Sequence, residues 1–435
     1  MDTHYDVIII GGRIAGSALA AHLGRHKLRV LVVDKQTFPS TPGVPSSPIL
    51  YDGHMQLLDE LGIPESAYAK LSARVDRIVI QVRDYFQSSF VVSELAKGHL
   101  KHDQCVYSFE RAEFDHLLWE NLAQYPSVTV REDFNVTSLI KNEQGKISGV
   151  VGYQDKQQPE TFTADLVVGA DGRFSRTAHL VGAKTTHEVT DIASSVYFAA
   201  WENVLPFDDE YQNTTAHIFT NIRGKNILTF PLTGGRSLVT LYIRHGREAE
   251  KGERSIEEYY LDELKRQPEV WDKMKNARQV SPMIGMKQIG NGYREAGGEG
   301  WALVGDAIHY KDPLDGQGIH DALLSAKMLA ESIYNWKCAG LPWEQALKQY
   351  ETRFMDASMP MFKETVARLK RELYDEPPFF IAKTVMRWLL QSPAYKQRFL
   401  LVVSRAVDPT NWLTGSLVLQ SIRRGLWRDL TRQQG

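Results

Sequence analysis

The stretch Tyr5-Asp6-Val7-Ile8-Ile9-Ile10-Gly11-Gly12-Arg13-Ile14-Ala15-Gly16 decides how the fold begins. Residues 5–10 have the continuous apolar character of a buried strand, and residues 14–25 have the apolar spacing of a helix. A strand, a glycine turn and a helix in this order open a dinucleotide-binding βαβ unit. The N-terminus of such a helix presents unpaired N–H groups and a partial positive charge to a pyrophosphate.

The turn departs from the Gly-x-Gly-x-x-Gly pattern, because Arg13 occupies the middle glycine position. Its side chain either points away from the phosphate or contacts the phosphate through its guanidinium, and we favour the second interpretation. Asp34 supports a nucleotide site, since it ends a second apolar strand and follows Gly11 by 23 residues (34 − 11). A ribose-binding acid is expected about 20 residues after the first glycine. The alternative is a surface aspartate in a turn.

Two later segments have the same strand-then-turn character. The sequence DLVVGADGRFS at 165–175 runs from a buried strand into an Asp-Gly turn, which by itself can be a simple βα connection. The sequence WALVGDAIH at 301–309 places Asp306 at the carboxyl end of a strand, where open α/β sheets bind ligands. Pro313, Gly316 and Gly318 follow; they predict a rigid loop with exposed N–H groups at the start of a helix, favouring negative charge on a ligand.

Composition and cysteine usage exclude several classes of protein. The formal net charge of −2 gives no indication of a nucleic-acid partner. Cys105 and Cys338 are far apart and form no Cys-x-x-Cys, which argues against a disulfide framework or a zinc site. We expect two buried or half-buried free thiols, no metal and a cytoplasmic location. No apolar stretch approaches the ~20 residues of a membrane span.

Together the three segments resemble the class A FAD-dependent monooxygenases, the p-hydroxybenzoate hydroxylase-like family. The opening motif, GADGRFS at 169–175 and GDAIHYKDPLDGQG at 305–318 stand in that family's order and spacing, within residues 5–335. The resemblance implies FAD as cofactor. It also implies an α/β fold: a Rossmann-like FAD-binding domain with an inserted, mostly antiparallel β-sheet substrate domain and a helical C-terminal region.

By this resemblance, the cofactor-binding residues are distributed along the whole length of FAD. They are Gly11, Arg13, Ala15, Gly16 and Asp171 on the pyrophosphate side, Asp34 and Lys35 at the adenosine ribose, Arg111 at the start of a helix that contacts FAD, Asp306 at the ribityl chain, and Pro313, Gly316 and Gly318 beside the isoalloxazine ring. Three positions depart from the family pattern. Arg13 replaces a glycine, Asp34 replaces the commoner glutamate, and His320 stands where asparagine is usual.

The pattern of apolar, aromatic and β-branched residues changes along the chain and predicts three regions. We expect a discontinuous FAD-binding domain at 1–74, 104–183 and 291–340, and a substrate-binding sheet domain at 75–103 and 184–290. The region 341–435 is predicted to be helical, and its segments 379–390 and 399–430 mix apolar and basic residues. A packed helical cap is the favoured role for them, with a dimer contact or peripheral membrane contact as alternatives. The oligomeric state is left open.

The resemblance implies a hydroxylation. In that family NADH or NADPH transiently reduces FAD, and O2 then gives a flavin C4a-hydroperoxide that hydroxylates an aromatic or polycyclic small molecule, as in secondary metabolism. An FAD-dependent reductase of an isoprenoid-like C=C bond is the alternative enzyme, although its usual P-x-x-Y-x-W-x-F-P segment is absent, as is the W-x-W-x-I-P segment of flavin halogenases. A non-catalytic binding protein on the same fold is a third alternative.

No catalytic side chain is assigned from the sequence. Residues that can contact a substrate are His217, His309, Tyr242 and Arg244, and residues that can line an apolar pocket are Tyr197, Phe198, Trp201, Phe219 and Phe230. Packing within the inserted sheet is the alternative role for every one of them, because aromatic residues on alternating strands are common in sheet cores. An apolar pocket of this kind would suit an apolar or aromatic substrate.

Overall fold

A computed structural model describes residues 4–82, 85–154, 158–220, 224–375, 379–411 and 413–432. The strands are β1 (His4–Ile10), β2 (Val30–Val33), β3 (Ile49–Leu50), β4 (Ser72–Val75), β5 (Arg77–Val82), β6 (Phe86–Val91), β7 (Val106–Phe109), β8 (Val128–Arg131), β9 (Phe134–Lys141), β10 (Ile147–Gln154), β11 (Glu160–Gly169), β12 (Thr185–Glu202), β13 (Thr215–Thr220), β14 (Lys225–Pro231), β15 (Ser237–Arg244), β16 (Arg278–Gln279), β17 (Ile284–Arg294), β18 (Gly297–Gly298), β19 (Trp301–Leu303) and β20 (His309–Tyr310).

The helices are α1 (Ile14–Arg25), α2 (Asp52–Glu60), α3 (Glu65–Ala69), α4 (Val92–Ala96), α5 (Arg111–Glu120), α6 (Arg176–Val181), α7 (Ile256–Lys265), α8 (Pro268–Met274), α9 (Gly318–Lys337), α10 (Trp343–Leu369), α11 (Phe379–Leu390), α12 (Pro393–Val403) and α13 (Gly415–Arg432). A π-helical turn, Lys370–Tyr374, continues α10. The predicted helix 14–25 is confirmed, because its alanine- and glycine-rich surface is buried along almost its whole length.

The first sheet is mainly parallel and runs in the order β18-β19-β11-β1-β2-β8. β19, β11, β1, β2 and β8 pair in parallel, while β9 and β10 extend the sheet from β11 in antiparallel fashion. The apolar runs of β1, β2 and β11 are buried on both faces. Their alternate residues belong to one apolar cluster beneath helices α1 and α9 and to another on the β9–β10 side. All the sequence motifs therefore end at one edge, the carboxyl end of the parallel strands.

The second sheet runs β20-β17-β12-β15-β14-β13-β5-β6, with β16 on β12, and is antiparallel except between β13 and β5. This confirms the predicted Rossmann-like and mostly antiparallel components of the fold. The strands β17 and β20 reach beyond residue 290, into a segment predicted for the other domain. The limits of the domains therefore stay a prediction. A small sheet, β3-β7-β4, lies apart from both.

The segment 399–430 is not one continuous helix. The helix α12 ends at Val403, and α13 begins at Gly415 after a break that contains Asp408 and Pro409. Arg405, the residue after the C-cap Ser404 of α12, has a left-handed backbone conformation with φ 60°. Of the two free thiols, Cys105 is buried as expected, but Cys338 is exposed because it follows the end of α9 at the surface. Within the described residues, no helix combines the length and apolar character needed to cross a bilayer.

Candidate FAD site

The turn between β1 and α1 touches the GADG segment directly. Gly11 has φ 108°, and a Cβ on it would lie 2.5 Å from the carbonyl oxygen of Ala170. A Cβ on Gly16 would lie 1.8 Å from the carbonyl oxygen of Gly11. Both glycines are therefore required by backbone contacts. Ala15, on the same turn of α1, is buried.

Asp34 holds the same turn from the next strand. Its Oδ2 accepts a hydrogen bond from the Gly12 N–H at 2.7 Å, and its Oδ1 accepts one from Gln36 N–H at 2.8 Å. A carboxylate has about four lone-pair positions, so capacity is left for ribose hydroxyls. Lys35 is exposed beside it. Gly12 has a role that the sequence did not show, since a Cβ there would lie 2.2 Å from the ring of Trp119.

Arg13 and Arg111 converge on one buried carboxylate that sequence reasoning missed. Asp115 Oδ2 accepts a hydrogen bond from Arg13 Nη1 at 2.6 Å, and its Oδ1 accepts one from Arg111 Nε at 3.0 Å. Arg13 also donates to the Ser40 carbonyl oxygen at 2.8 Å. The guanidinium of Arg13 is thus anchored beside the turn, and its contact with a phosphate stays a prediction. The i, i+4 spacing of Arg111 and Asp115 was the available signal.

Asp171 serves as a local cap in the structure. Its Oδ2 accepts hydrogen bonds from the Thr177 N–H at 2.8 Å and the Thr177 hydroxyl at 2.9 Å, and its Oδ1 accepts one from Ser175. These contacts satisfy donors at the start of α6. The neighbouring Arg173 crosses to the second sheet, where it donates to the Gly290 carbonyl oxygen at 2.8 Å and to that of Lys311. Sequence reasoning had given Arg173 no role.

Asp306 lies on the turn after β19 and is half-buried. Gly305 has φ 63°, and a Cβ on it would lie 2.6 Å from the Cβ of Ala15, so this turn packs on α1. Among the described residues, none donates a hydrogen bond to the Asp306 carboxylate or pairs with it within 4 Å. A half-buried carboxylate with its acceptor capacity left over suits a polyhydroxyl chain such as ribityl.

The loop 313–318 is held from several directions. Asp312 Oδ1 accepts a hydrogen bond from the Leu314 N–H at 2.9 Å, and Ser47 donates to the Pro313 carbonyl oxygen at 2.6 Å. Gly316 has φ 66°, and a Cβ on it would lie 2.6 Å from Ile49. A Cβ on Gly318, the first residue of α9, would meet no heavy atom within 4 Å. The start of α9 is therefore open on the side of Gly318, although its N-cap Gln317 is buried.

A buried cluster of charged side chains lies at the start of α9, and no pattern in the sequence indicated it. Asp321 Oδ2 pairs with Lys311 Nζ at 2.5 Å, and its Oδ1 pairs with Arg405 Nη2 at 2.7 Å. Arg405 Nε also donates to the Gln317 side-chain oxygen at 2.6 Å. Burial favours protonation of Asp321, but Lys311 and Arg405 outweigh it and hold its pKa well below the usual range. The cluster thus carries a net positive charge beside the ring end of the site.

The histidines around this cluster are kept neutral. Burial, reinforced by Arg405, lowers the pKa of His320 to about 4. The pKa values of His309 and His54 are also lowered by burial. His54 Nε2 lies 3.1 Å from the Gly316 carbonyl oxygen, and His309 stacks on Tyr293 at 4.0 Å between ring centroids. His309 is therefore packed in the core behind α9, and its predicted substrate contact stays unsupported by the geometry.

Asp312 is a second buried acid near the loop. It is 1% exposed, and it accepts hydrogen bonds from Ser194 and from Leu314 N–H. Burial raises its pKa to about 6, although Ser194 and Leu314 oppose the shift. Asp312 also acts electrostatically on Tyr242, whose own pKa burial raises well above its usual value. An acid and a phenol are thus both buried within electrostatic range of one another.

The aromatic residues predicted to line a pocket divide between the two faces of the second sheet. Tyr197, Trp201 and Phe219 pack with helices α7 and α8. Phe230 and Tyr242 pack on the other face with Leu314 of the loop, and Phe198 borders the same cluster. Strand alternation assigns neighbouring residues to opposite faces, and the sequence alone did not show which face meets the loop. The first three residues are therefore core rather than pocket.

The two remaining candidate substrate contacts are also engaged elsewhere. His217 stacks on Phe219 at 4.1 Å, and its Nε2 lies 3.1 Å from the Gln81 side-chain oxygen. Arg244 lies over the ring of Tyr374 at 4.6 Å. A cavity of about 210 Å³ opens beside Phe230, near Arg236. It is smaller than the ~300 Å³ lower bound typical of ligand pockets, so it does not by itself define a substrate site.

These contacts bring the three sequence segments together at the carboxyl edge of the first sheet, and we call this region the candidate FAD groove. The glycine turn meets Ala170, Ala15 meets Gly305, and the loop 313–318 leads into α9 beside the same edge of the sheet. The residues fit FAD: the glycine turn supplies amide groups beside Arg13 and Arg111, Asp306 supplies a carboxylate without a partner among the described residues, and the start of α9 lies beside the Lys311–Asp321–Arg405 cluster. Such a helix start favours the negative charge of a reduced flavin.

Comparisons with known proteins identify the family of the chain and its fold. A family model described as FAD binding domain matches residues 4–361. A digeranylgeranylglycerophospholipid reductase of Methanocella arvoryzae is 26% identical over 360 residues, 82% of this chain and 84% of that protein. The solved flavin-dependent brominase Bmp2 superposes with TM-score 0.76 at 18% identity, over 97% of this chain and 99% of that one. The p-nitrophenol 4-monooxygenase PnpA of Pseudomonas putida superposes with TM-score 0.76 at 15% identity, over 94% and 99%.

Proposed function

Since this chain belongs to the FAD-binding domain family of FAD-dependent oxidoreductases, we propose that it is a monooxygenase acting on an apolar aromatic or polycyclic small molecule. FAD is its cofactor, NADH or NADPH its transient reductant and O2 its cosubstrate. FAD supplies the redox chemistry when it is bound, and the protein orients it and excludes water. The cofactor-binding residues proposed are those of the groove, from Gly11 and Asp34 at one end to Asp306 and Gly318 at the other.

One observation supports this proposal most directly: the ring-side loop abuts an apolar sheet face. Leu314 lies between Asp306 and Gly318 in sequence and packs in the same buried cluster as Phe230 and Tyr242. A substrate held beside the ring would therefore meet apolar and aromatic side chains. Such a wall favours a flat apolar molecule over a small charged acid.

The residues of this chain have separate tasks in the proposed reaction. Asp306 would accept hydrogen bonds from the ribityl hydroxyls, and the N-terminus of α9 with the Lys311–Asp321–Arg405 cluster would stabilise negative charge at the ring. Asp312, with its pKa raised to about 6, is the buried acid on the substrate side. It would hold a proton below that pH and release it above.

A second candidate function has one observation in its favour. Several curated relatives, including the one from Methanocella arvoryzae, are named as reductases of an isoprenoid lipid, at 24–26% identity over about four fifths of this chain. An isoprenoid substrate would fit the same apolar face. In this alternative, FAD reduced by NADH or NADPH would supply two electrons, the C=C bond would gain two hydrogens with protons drawn from the cofactor and from solvent, and O2 would not be consumed.

Product mass distinguishes the two candidates. FAD-loaded protein is supplied with NADH or NADPH and a panel of phenols, quinolones, polyketides and prenylated lipids, in air and under argon. The monooxygenase predicts substrate-stimulated NAD(P)H oxidation in air and one added oxygen atom that carries label from 18O2. The reductase predicts two added hydrogens under argon. Stimulation only by a small charged acid would contradict both candidates, and failure of the purified chain to take up FAD would contradict the cofactor assignment itself.

A further inference from the structure

The last helix, α13, leaves an apolar stripe uncovered. Trp427 is 71% exposed, Leu419 69%, Leu430 56% and Leu426 49%. Leu419, Leu426 and Leu430 are separated by seven and four residues and so share one side of the helix, and Trp427 borders that side. Four large apolar side chains this exposed on one side of a helix indicate an interaction surface, although Arg423 lies among them.

The opposite side of α13 is firmly attached to the rest of the protein. A Cβ on Gly425 would lie 2.2 Å from the indole ring of Trp388 in α11. Asp429 Oδ2 accepts a hydrogen bond from Trp388 Nε1 at 2.9 Å and pairs with Arg387. The helix is therefore held with its stripe outward, and Phe380 of α11, 71% exposed, adds a further uncovered aromatic side chain.

The same part of the chain has a strong positive charge. Residues 379–432 contain nine lysines and arginines and two aspartates, a formal charge of +7, so the remainder of the chain carries −9. One of the two acids, Asp429, is paired with Arg387. Arg423 and Arg424 are exposed on α13: Arg423 lies within the apolar stripe, four residues from both Leu419 and Trp427, and Arg424 lies at its margin. The partner of this surface should be apolar and anionic together.

We propose that α13 binds the surface of an anionic lipid bilayer, with its apolar stripe in the headgroup–acyl boundary and its arginines among the lipid headgroups. A helix with tryptophan and leucine on one side and arginine beside them has the composition of interfacial helices. A second copy of this chain is disfavoured as the occupant, because a two-fold contact would bring two cationic faces together. The binding does not depend on which flavin reaction the protein catalyses.

The surface is linked to the candidate FAD site through the chain. The helix α12 lies between α11 and α13 in sequence, and Arg405 follows two residues after its end; the Arg405 guanidinium contacts Gln317 and Asp321 at the start of α9. The C-terminal region that carries the lipid-binding surface therefore also contributes a buried charge to the start of α9.

Vesicle binding tests the proposal with the FAD-loaded full chain. Co-sedimentation is measured with phosphatidylcholine vesicles and with vesicles that also contain phosphatidylglycerol. We expect binding to the anionic vesicles that weakens with salt. At ~1 kcal/mol for each basic residue near the surface, Arg423→Glu/Arg424→Glu should lower the partition coefficient by about thirtyfold or more. Trp427→Ser/Leu430→Ser should lower it by about tenfold or more, from the loss of buried apolar area.

Matched variants keep the test interpretable. Lys70→Glu/Lys97→Glu makes the same charge change at exposed positions elsewhere, and Val130→Ser removes an exposed apolar side chain from β8. Both should bind vesicles like the parent, and far-ultraviolet circular dichroism and FAD content check that every variant is folded. Absence of binding to anionic vesicles, or equal losses in the α13 and control variants, would overturn the proposal. So would a dimer in sedimentation velocity that Trp427→Ser/Leu430→Ser dissociates, since that result assigns the stripe to a second copy.

Discussion

Each end of the candidate FAD groove has a buried aspartate between two basic side chains, but the two clusters differ in how far they are exposed to solvent. At the phosphate end, buried Asp115 lies between Arg13 and Arg111, whose side chains remain 22% and 16% exposed. At the ring end, buried Asp321 lies between Lys311 and Arg405, which are only 2% and 9% exposed. In the first cluster, the partly exposed arginines can also contact a ligand or water. In the second cluster, all three charges are buried, and one of them, Arg405, comes from the C-terminal region.

This comparison indicates different purposes for the two clusters. A partly exposed arginine can exchange a carboxylate oxygen for a phosphate oxygen at a small cost in free energy, because water screens the charge during the exchange. A buried cation without its partner carries a large desolvation penalty. The ring-end cluster is therefore expected to stabilise the fold and join the C-terminal region to α9. The phosphate-end cluster is expected to present arginines to the cofactor.

The largest effect should follow from removing the ring-end carboxylate. Asp321→Asn leaves Lys311 and Arg405 buried with one neutral acceptor, so the free energy of unfolding should fall by about 3–5 kcal/mol. Urea titration followed by circular dichroism measures the loss. Asp312→Asn, measured at pH 4 where the Asp312 side chain of the parent is protonated, serves as the control for a buried carboxyl-to-amide change. A loss below about 1 kcal/mol for Asp321→Asn would remove the proposed distinction between the clusters.

A pH-dependent effect should follow at Asp312. Its folded-state pKa of about 6 lies above the ordinary value of 3.8, so its contribution to stability is complete below pH ~4 and is lost as the pH rises to about 6. The shift corresponds to about 3 kcal/mol. Asp312→Asn should lack this component. The difference in unfolding free energy between parent and variant, measured from pH 4 to 7, should therefore change in favour of the variant. A constant difference would contradict the raised pKa.

A binding effect of intermediate size is expected at Asp306. Asp306→Ala removes the carboxylate that has no hydrogen-bond partner among the described residues, so folding should change little while FAD binding weakens. Loss of charged hydrogen bonds to ribityl hydroxyls corresponds to about 1.5–3 kcal/mol, or about 10- to 150-fold in Kd. Quenching of FAD fluorescence measures the affinity. Asp171→Ala, whose carboxylate caps α6, should instead lower stability more than affinity.

The smallest effect is expected at the phosphate end. Asp115→Asn should cost only about 1–2 kcal/mol of stability, because Arg13 and Arg111 remain accessible to water. Its FAD affinity should stay within about threefold of the parent or increase, since the arginines lose a competitor for the phosphates. Thermal unfolding and FAD titration test both points. A loss of affinity as large as that of Asp306→Ala would show that Asp115 positions the arginines rather than restraining them.

Much of the flavin groove was predictable from the sequence, for a physical reason. Parallel strands buried on both faces read as unbroken apolar runs, and their carboxyl ends meet at one edge of the sheet. Strand ends and spacing therefore place Gly11, Asp34 and Asp306 at this edge, and their roles along FAD come from the resemblance to the monooxygenase family. The close approaches of Gly11 to Ala170 and of Gly305 to Ala15 explain why small residues recur at these turns.

The aromatic residues of the second sheet show where such prediction stops. Tyr197 and Phe198 are adjacent in sequence and similar in character, yet one packs beneath α7 and α8 and the other borders the cluster around Leu314. Period-two alternation separates them but does not say which face meets the loop. That choice depends on how the sheet sits against the first domain.

The sequence by itself determined the strand-turn-helix units, the order of the three motifs and the positive, apolar character of the last helix, because these follow from local periodicity, glycine geometry and charge. Only the tertiary structure decided the partners of buried charges. Arg405 meets Asp321 across 84 residues, and Arg13 meets Asp115 across 102. No local pattern specifies such pairs, since each is selected by the cost of leaving a particular charge alone in the folded interior.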